Sequence, residues 1–101
     1  MNEERDDLVS YINNKIEQLY GLRPDVRYTR TGFFFIIRLN NIFIDVTYRK
    51  IGHLYQIEYQ KVFNDDEEDQ LLEYYEFDHF DDVLDLFDDI INTMMPPKIY
   101  Y

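Results

Sequence analysis

Thirteen carboxylates fall between Asp65 and Asp89 with no Lys or Arg among them, and these side chains are the ones best placed to do chemistry. They comprise the run Asp65, Asp66, Glu67, Glu68 and Asp69, then Glu73 and Glu76, then Asp78, Asp81, Asp82, Asp85, Asp88 and Asp89. Such a set can serve as an acid–base pair, as ligands for a hard cation, or as a charged surface for a basic partner. For glycoside hydrolysis the first role needs two tuned carboxyls on opposite walls of a sugar-binding cleft, and these acids crowd one loop and one helix face instead. The second needs a loop that folds around the ion. The run 64–69 lacks the central Gly and the spaced terminal Glu that let an EF-hand loop do so. No metal or other cofactor is therefore expected, and the charged surface remains.

Other catalytic groups are scarce. His53 and His79 have no Ser or Cys partner in a recognisable motif, Ser10 is the chain's one serine, and there is no Cys. The three glycines stand singly at 21, 32 and 52, so no phosphate-cradling loop exists. The chain is not expected to be an enzyme.

The elements that must position the acids are legible from hydrophobic period. Leu8, Ile12, Ile16 and Leu19, flanked by Val9, Tyr11 and Tyr20, predict an amphipathic helix over 3–20, stopped at Gly21. From Val26 the period becomes two. Val26, Tyr28 and Arg30 form one run, and Phe33 to Leu39 a second. Asn40-Asn41 is a hairpin signal, and Ile42, Ile44, Val46 and Tyr48 share one face of a third strand. A turn over 50–52 leads to a fourth run, 53–62, with Tyr55, Ile57 and Tyr59 alternating with Gln56, Glu58 and Gln60. Asn64 to Asp69 reads as a solvated, self-repelling loop. Residues 70–77 fit either a fifth strand or a short helix, with the strand favoured by length and aromatic content. Asp78 is placed to cap a last helix carrying Phe80, Val83, Leu84, Phe87, Ile90 and Met94, ended by Pro96-Pro97. The expected fold is α+β in a single domain, 1–101: an N-terminal helix, an antiparallel meander of four or five strands, and an acidic C-terminal helix.

The net charge of −11 makes nucleic acid or an anionic membrane an improbable direct partner, because phosphates need clustered cations. That charge is localised. Residues 1–60 hold eight acids and eight bases, so the excess belongs to the downstream segment. A solvated helix face that merely keeps a Tyr-rich protein soluble ordinarily mixes signs, since like charges at i, i+4 cost about 0.2–0.5 kcal/mol per pair. Six Asp from Asp78 to Asp89 span about 16 Å of helix, one per ~3.3 Å, against ~3.4 Å per charge on one DNA strand. The segment therefore reads as a partner-binding surface, with Tyr74 and Tyr75 as candidate anchors.

Small size, acidity, no Cys, a helix–meander–helix order and the Asp-rich last helix together resemble the small phage-encoded inhibitors that imitate DNA, in the style of type II anti-CRISPR proteins. Phage inhibitors of uracil-DNA glycosylase are a second such group. The complete lack of Ala beside heavy use of Asn, Ile, Tyr, Phe and Asp fits an AT-rich coding source of that kind. The likeness lies in organisation and in charge placement over 65–89; no diagnostic motif is matched. It implies stoichiometric blocking of the basic channel of a CRISPR effector nuclease, where Arg side chains read a short flanking motif. Other binding classes fit the same plan: an immunity protein neutralising a basic toxin, or a small secretion-type chaperone. An acidic start and the lack of any apolar run near 18 residues lead to the expectation of a cytoplasmic protein in a bacterial host cell.

Overall fold

A computed structural model describes residues 3–39, 42–63 and 70–93. Helix α1 (Glu3–Tyr20) is followed by strands β1 (Asp25–Tyr28), β2 (Gly32–Leu39), β3 (Ile42–Ile51), β4 (Leu54–Phe63) and β5 (Gln70–Phe77), and by helix α2 (Phe80–Thr93). The strands form one antiparallel sheet in the order β1-β2-β3-β4-β5, a meander in which each strand pairs with the next in sequence. The α+β architecture is the one the hydrophobic periods predict, and 70–77 is a strand.

Period two makes the sheet two-faced. Phe33, Phe35 and Ile37 of β2, Ile44, Val46 and Tyr48 of β3, and Tyr55, Ile57 and Tyr59 of β4 are buried on the inner face. Both helices cover that face with Leu8, Val9, Ile12 and Ile16 from α1 and Val83, Phe87, Ile90 and Ile91 from α2. The Phe33 ring stacks on Tyr48 at 5.0 Å, and Phe87 lies 6.2 Å and 6.5 Å from the two rings, so α2 is keyed into the sheet through aromatics. On the outer face Phe34, Ile36, Phe43 and Val62 alternate with these core residues and are half-buried. They mingle there with Arg27, Asp45, Thr47, Arg49 and Glu58. Burial pushes the Asp45 carboxyl up, and the neighbouring Glu58 adds to the shift.

Local punctuation differs from expectation at three points. Strand β3 runs on to Ile51, opposite Leu54, so the β3–β4 turn is Gly52-His53 rather than 50–52, with Gly52 at φ 63 supplying the left-handed residue such a two-residue turn demands. Leu19 continues the apolar stripe of α1 but is 45% exposed; Ile16 is the last fully buried side chain of the helix, and beyond it Tyr20 packs half-buried against the core. Asp78 does not cap α2. The carbonyl of His79 accepts the Asp82 N–H at 3.2 Å, which makes His79 the capping position and leaves Asp78 outside the helix. The predicted hairpin at Asn40-Asn41 and the solvated loop Asn64 to Asp69 lie outside the described residues, as do Met94 and Pro96-Pro97. Pairing of Leu39 with Ile42 brackets the first of these.

Candidate functional site

The acidic candidates separate into three environments once the elements are in place. Asp65, Asp66, Glu67, Glu68 and Asp69 lie outside the described residues. Glu73 and Glu76 sit on β5 but face opposite sides of the sheet, because their spacing is odd. The remaining six are on or just before α2.

On the inner face, Glu73 accepts a hydrogen bond from the Tyr75 hydroxyl. That bond, reinforced by burial, pushes the Tyr75 phenol up to about 12. Tyr75 is half-buried against the core and stacks with Phe77 at 6.3 Å, so it is a packing residue. Its neighbour Tyr74 points to the outer face and is 52% exposed. Of the two candidate anchors only Tyr74 is open to a partner. Glu76, on the same face, accepts from the Tyr74 hydroxyl at 3.1 Å and from Gln56 Nε2 at 3.2 Å.

Along α2 the six Asp are not one row. Asp78 lies beside the ring of His79, 3.7 Å from Nε2. Asp81 and Asp82 occupy the first turn, where the unsatisfied N–H groups and the helix dipole favour negative charge. Asp88 turns toward α1, forms an ion pair with the Lys15 ammonium, and accepts a hydrogen bond from the Tyr11 hydroxyl at 2.6 Å. It ties the two helices together. Counting bases within residues 61–101 missed this pairing, since the cation comes from the first helix. Replacing Asp88 with Ala is expected to lower stability by about 1 kcal/mol through loss of this partly exposed pair and its hydrogen bond, read by denaturant unfolding.

Asp81, Asp82, Asp85 and Asp89 remain exposed and have no ion pair among the described residues. Positions 81, 85 and 89 stand at i, i+4 steps, so their carboxylates line one edge of the helix over about 12 Å. Four charges over that length give one per ~4 Å, sparser than the six-residue row predicts. Asp81 and Asp82 have a local reason to be acidic, and Asp88 has Lys15. Asp85 and Asp89 are beyond the first turn and have neither.

No family model, curated protein or solved structure matches this chain.

Sequence reasoning missed one further group, Lys61, which is 6% exposed on the inner face of β4. Burial pushes its ammonium down. Alternation with Tyr55, Ile57 and Tyr59 was the available signal, because it assigns residue 61 to the same buried side. Lys61, Tyr59, Glu73, Tyr75, Asp89 and Thr93 contribute to the wall of a cavity of about 350 Å³ between β4, β5 and α2. Among the described residues no group of three or more His, Asp or Glu could hold a metal ion, and no helix is long and apolar enough to cross a membrane.

Proposed function

We propose that this chain is a stoichiometric binding protein that imitates nucleic acid and blocks the basic groove of a nucleic-acid-binding protein. The observation that carries the reading is the exposed stripe Asp81, Asp82, Asp85 and Asp89 on a helix that the core holds rigidly through Phe87, Ile90 and Ile91. A fixed row of short side chains keeps charge close to the backbone, so a basic groove that normally receives phosphates meets preorganised carboxylates. Steering between opposite charges makes association fast and salt-sensitive. The resemblance to phage-encoded anti-CRISPR inhibitors makes a CRISPR effector nuclease in a bacterial cytoplasm the partner to try first, with the Arg side chains of its flanking-motif reader as the counter-surface.

The outer face of the sheet favours a second reading, a binding module such as a toxin-neutralising immunity protein or a secretion-type chaperone. Phe34, Ile36 and Phe43 lie there with no helix over them among the described residues, and a partner seated on that face would be held by apolar contact.

Capture of a partner on the immobilised chain, followed by elution, separates the two. Duplex DNA and rising salt are expected to displace a partner held by the acidic stripe. A complex that resists both overturns the nucleic-acid-mimic reading and favours the apolar sheet face.

A further inference from the structure

Strand β5 is the last strand of the sheet, and its outer edge has no strand partner among the described residues. The opposite edge strand, β1, has four residues and is too short to be an efficient template, whereas β5 has eight. Three of the exposed large apolar side chains of the molecule lie on β5: Leu71 (38%), Leu72 (70%) and Tyr74 (52%). Leu71 points to the helix-covered face and Leu72 and Tyr74 to the other, since side chains alternate along a strand. A partner stacked on either face would cover one set and leave the other. A strand continuing the sheet past β5 would give both sets cross-strand neighbours.

We infer that the occupant of this edge is β5 of a second copy, paired antiparallel about a two-fold axis at Tyr74. Directly opposed residues in an antiparallel pair lie on the same face, so a two-fold register must centre on one residue. Centring on Tyr74 opposes Glu73 to Tyr75, Leu72 to Glu76 and Leu71 to Phe77, each twice. No acid faces an acid, and Glu73 meets the type of group, a tyrosine hydroxyl, with which it already bonds in its own chain. Centring on Glu73 sets that carboxylate against itself. Centring on Tyr75 pairs five strand residues instead of seven and leaves Leu71 and Leu72 uncovered. Only centring on Glu73 or Tyr74 pairs seven residues of the strand, and of these two the self-opposed Glu73 carboxylates exclude the first. The four exposed Asp of α2 are not consumed, so this inference stands apart from the proposed function.

The test uses the chain alone and measures mass by sedimentation across concentration. The wild type is expected to shift from monomer to dimer, and more readily at high salt, because screening relieves repulsion between two chains of charge −11. Leu72 opposes Glu76 twice in the dimer, so Leu72→Glu is expected to raise the midpoint concentration about tenfold and Leu72→Lys to lower it. The chain has no Cys, so Tyr74→Cys introduces a lone thiol at the axis, which a short bis-maleimide should bridge efficiently; Ile51→Cys, equally exposed but on another hairpin, should not bridge. Monomers at every concentration overturn the inference. So does a dimer indifferent to both Leu72 substitutions, or equal bridging at 51 and 74, either of which places the second copy elsewhere.

Discussion

Reversal of Asp81, Asp82, Asp85 and Asp89 to Lys is expected to abolish binding to the captured basic partner while the protein stays folded. Each reversal changes the charge by two, so the four take the chain from −11 to −3 and turn the stripe positive where it meets cations. Close interfacial charge pairs couple by about 1.5 kcal/mol or more each, so losing four and adding repulsion is expected to weaken affinity by about 1,000-fold or more. The fold should survive because all four side chains are exposed and none makes an ion pair among the described residues. Lys in the first turn opposes the helix dipole at about 0.3–1 kcal/mol per residue. The matching set of Asn substitutions therefore serves as the control: it removes charge without placing cations at the helix start. Circular dichroism and thermal unfolding check the fold, and titration calorimetry against the partner checks binding. Wild-type affinity in a folded reversal variant would sink the nucleic-acid-mimic reading.

Asp88 shows why the stripe was only partly legible in the sequence. All six Asp of 78–89 look alike when bases are counted nearby, yet the cation that neutralises Asp88 is Lys15, from the first helix of the chain. Helical spacing placed Asp88 on the polar side of α2; it could not show that α1 packs beside that side. Asp78 is the converse case, lost from the row because the helix begins at Phe80. What periodicity does determine is the core. Phe33, Phe35, Ile44, Val46, Tyr48, Ile57, Val83 and Phe87 are all on the faces their spacing assigns, since a one-residue slip would expose the whole set.

Strand β5 was ambiguous for a physical reason. One of its faces carries Leu71, Glu73, Tyr75 and Phe77, the other Gln70, Leu72, Tyr74 and Glu76, so neither is consistently apolar. An edge strand buries less than a central one and gives a weaker alternation. Pairing with β4, from Tyr55 opposite Phe77 to Val62 opposite Gln70, settles the conformation. The same register explains why Tyr74 and Tyr75 part company. Tyr75 lies opposite Ile57 in the core, and Tyr74 lies opposite Glu58 on the outer face.

Gly32 should be the least replaceable of the three glycines. A Cβ built there would stand 2.0 Å from the Tyr48 carbonyl oxygen and 2.8 Å from its carbon, and these are backbone atoms of the neighbouring strand that no side-chain rotation can move. Gly32 is also tied on both sides. Its N–H donates to Thr29 Oγ1 at 3.0 Å, and its carbonyl accepts the Thr29 N–H at 2.9 Å. The Lys50 N–H reaches the Thr31 carbonyl at 2.9 Å, so any opening between β2 and β3 strains the β1–β2 turn as well. Gly32→Ala is expected to cost about 3 kcal/mol by overpacking, a large fraction of the ~5–15 kcal/mol that holds such a domain, and to lower Tm by on the order of 15 °C. Gly52→Ala supplies the comparison that isolates the cause. At φ 63 an alanine there pays the left-handed backbone penalty of about 1–2 kcal/mol but meets no atom within 4 Å. If Gly32→Ala melts no lower than Gly52→Ala, the close approach of β2 to Tyr48 is not what requires glycine at this position; the larger loss expected at 32 is the direct measure of that contact.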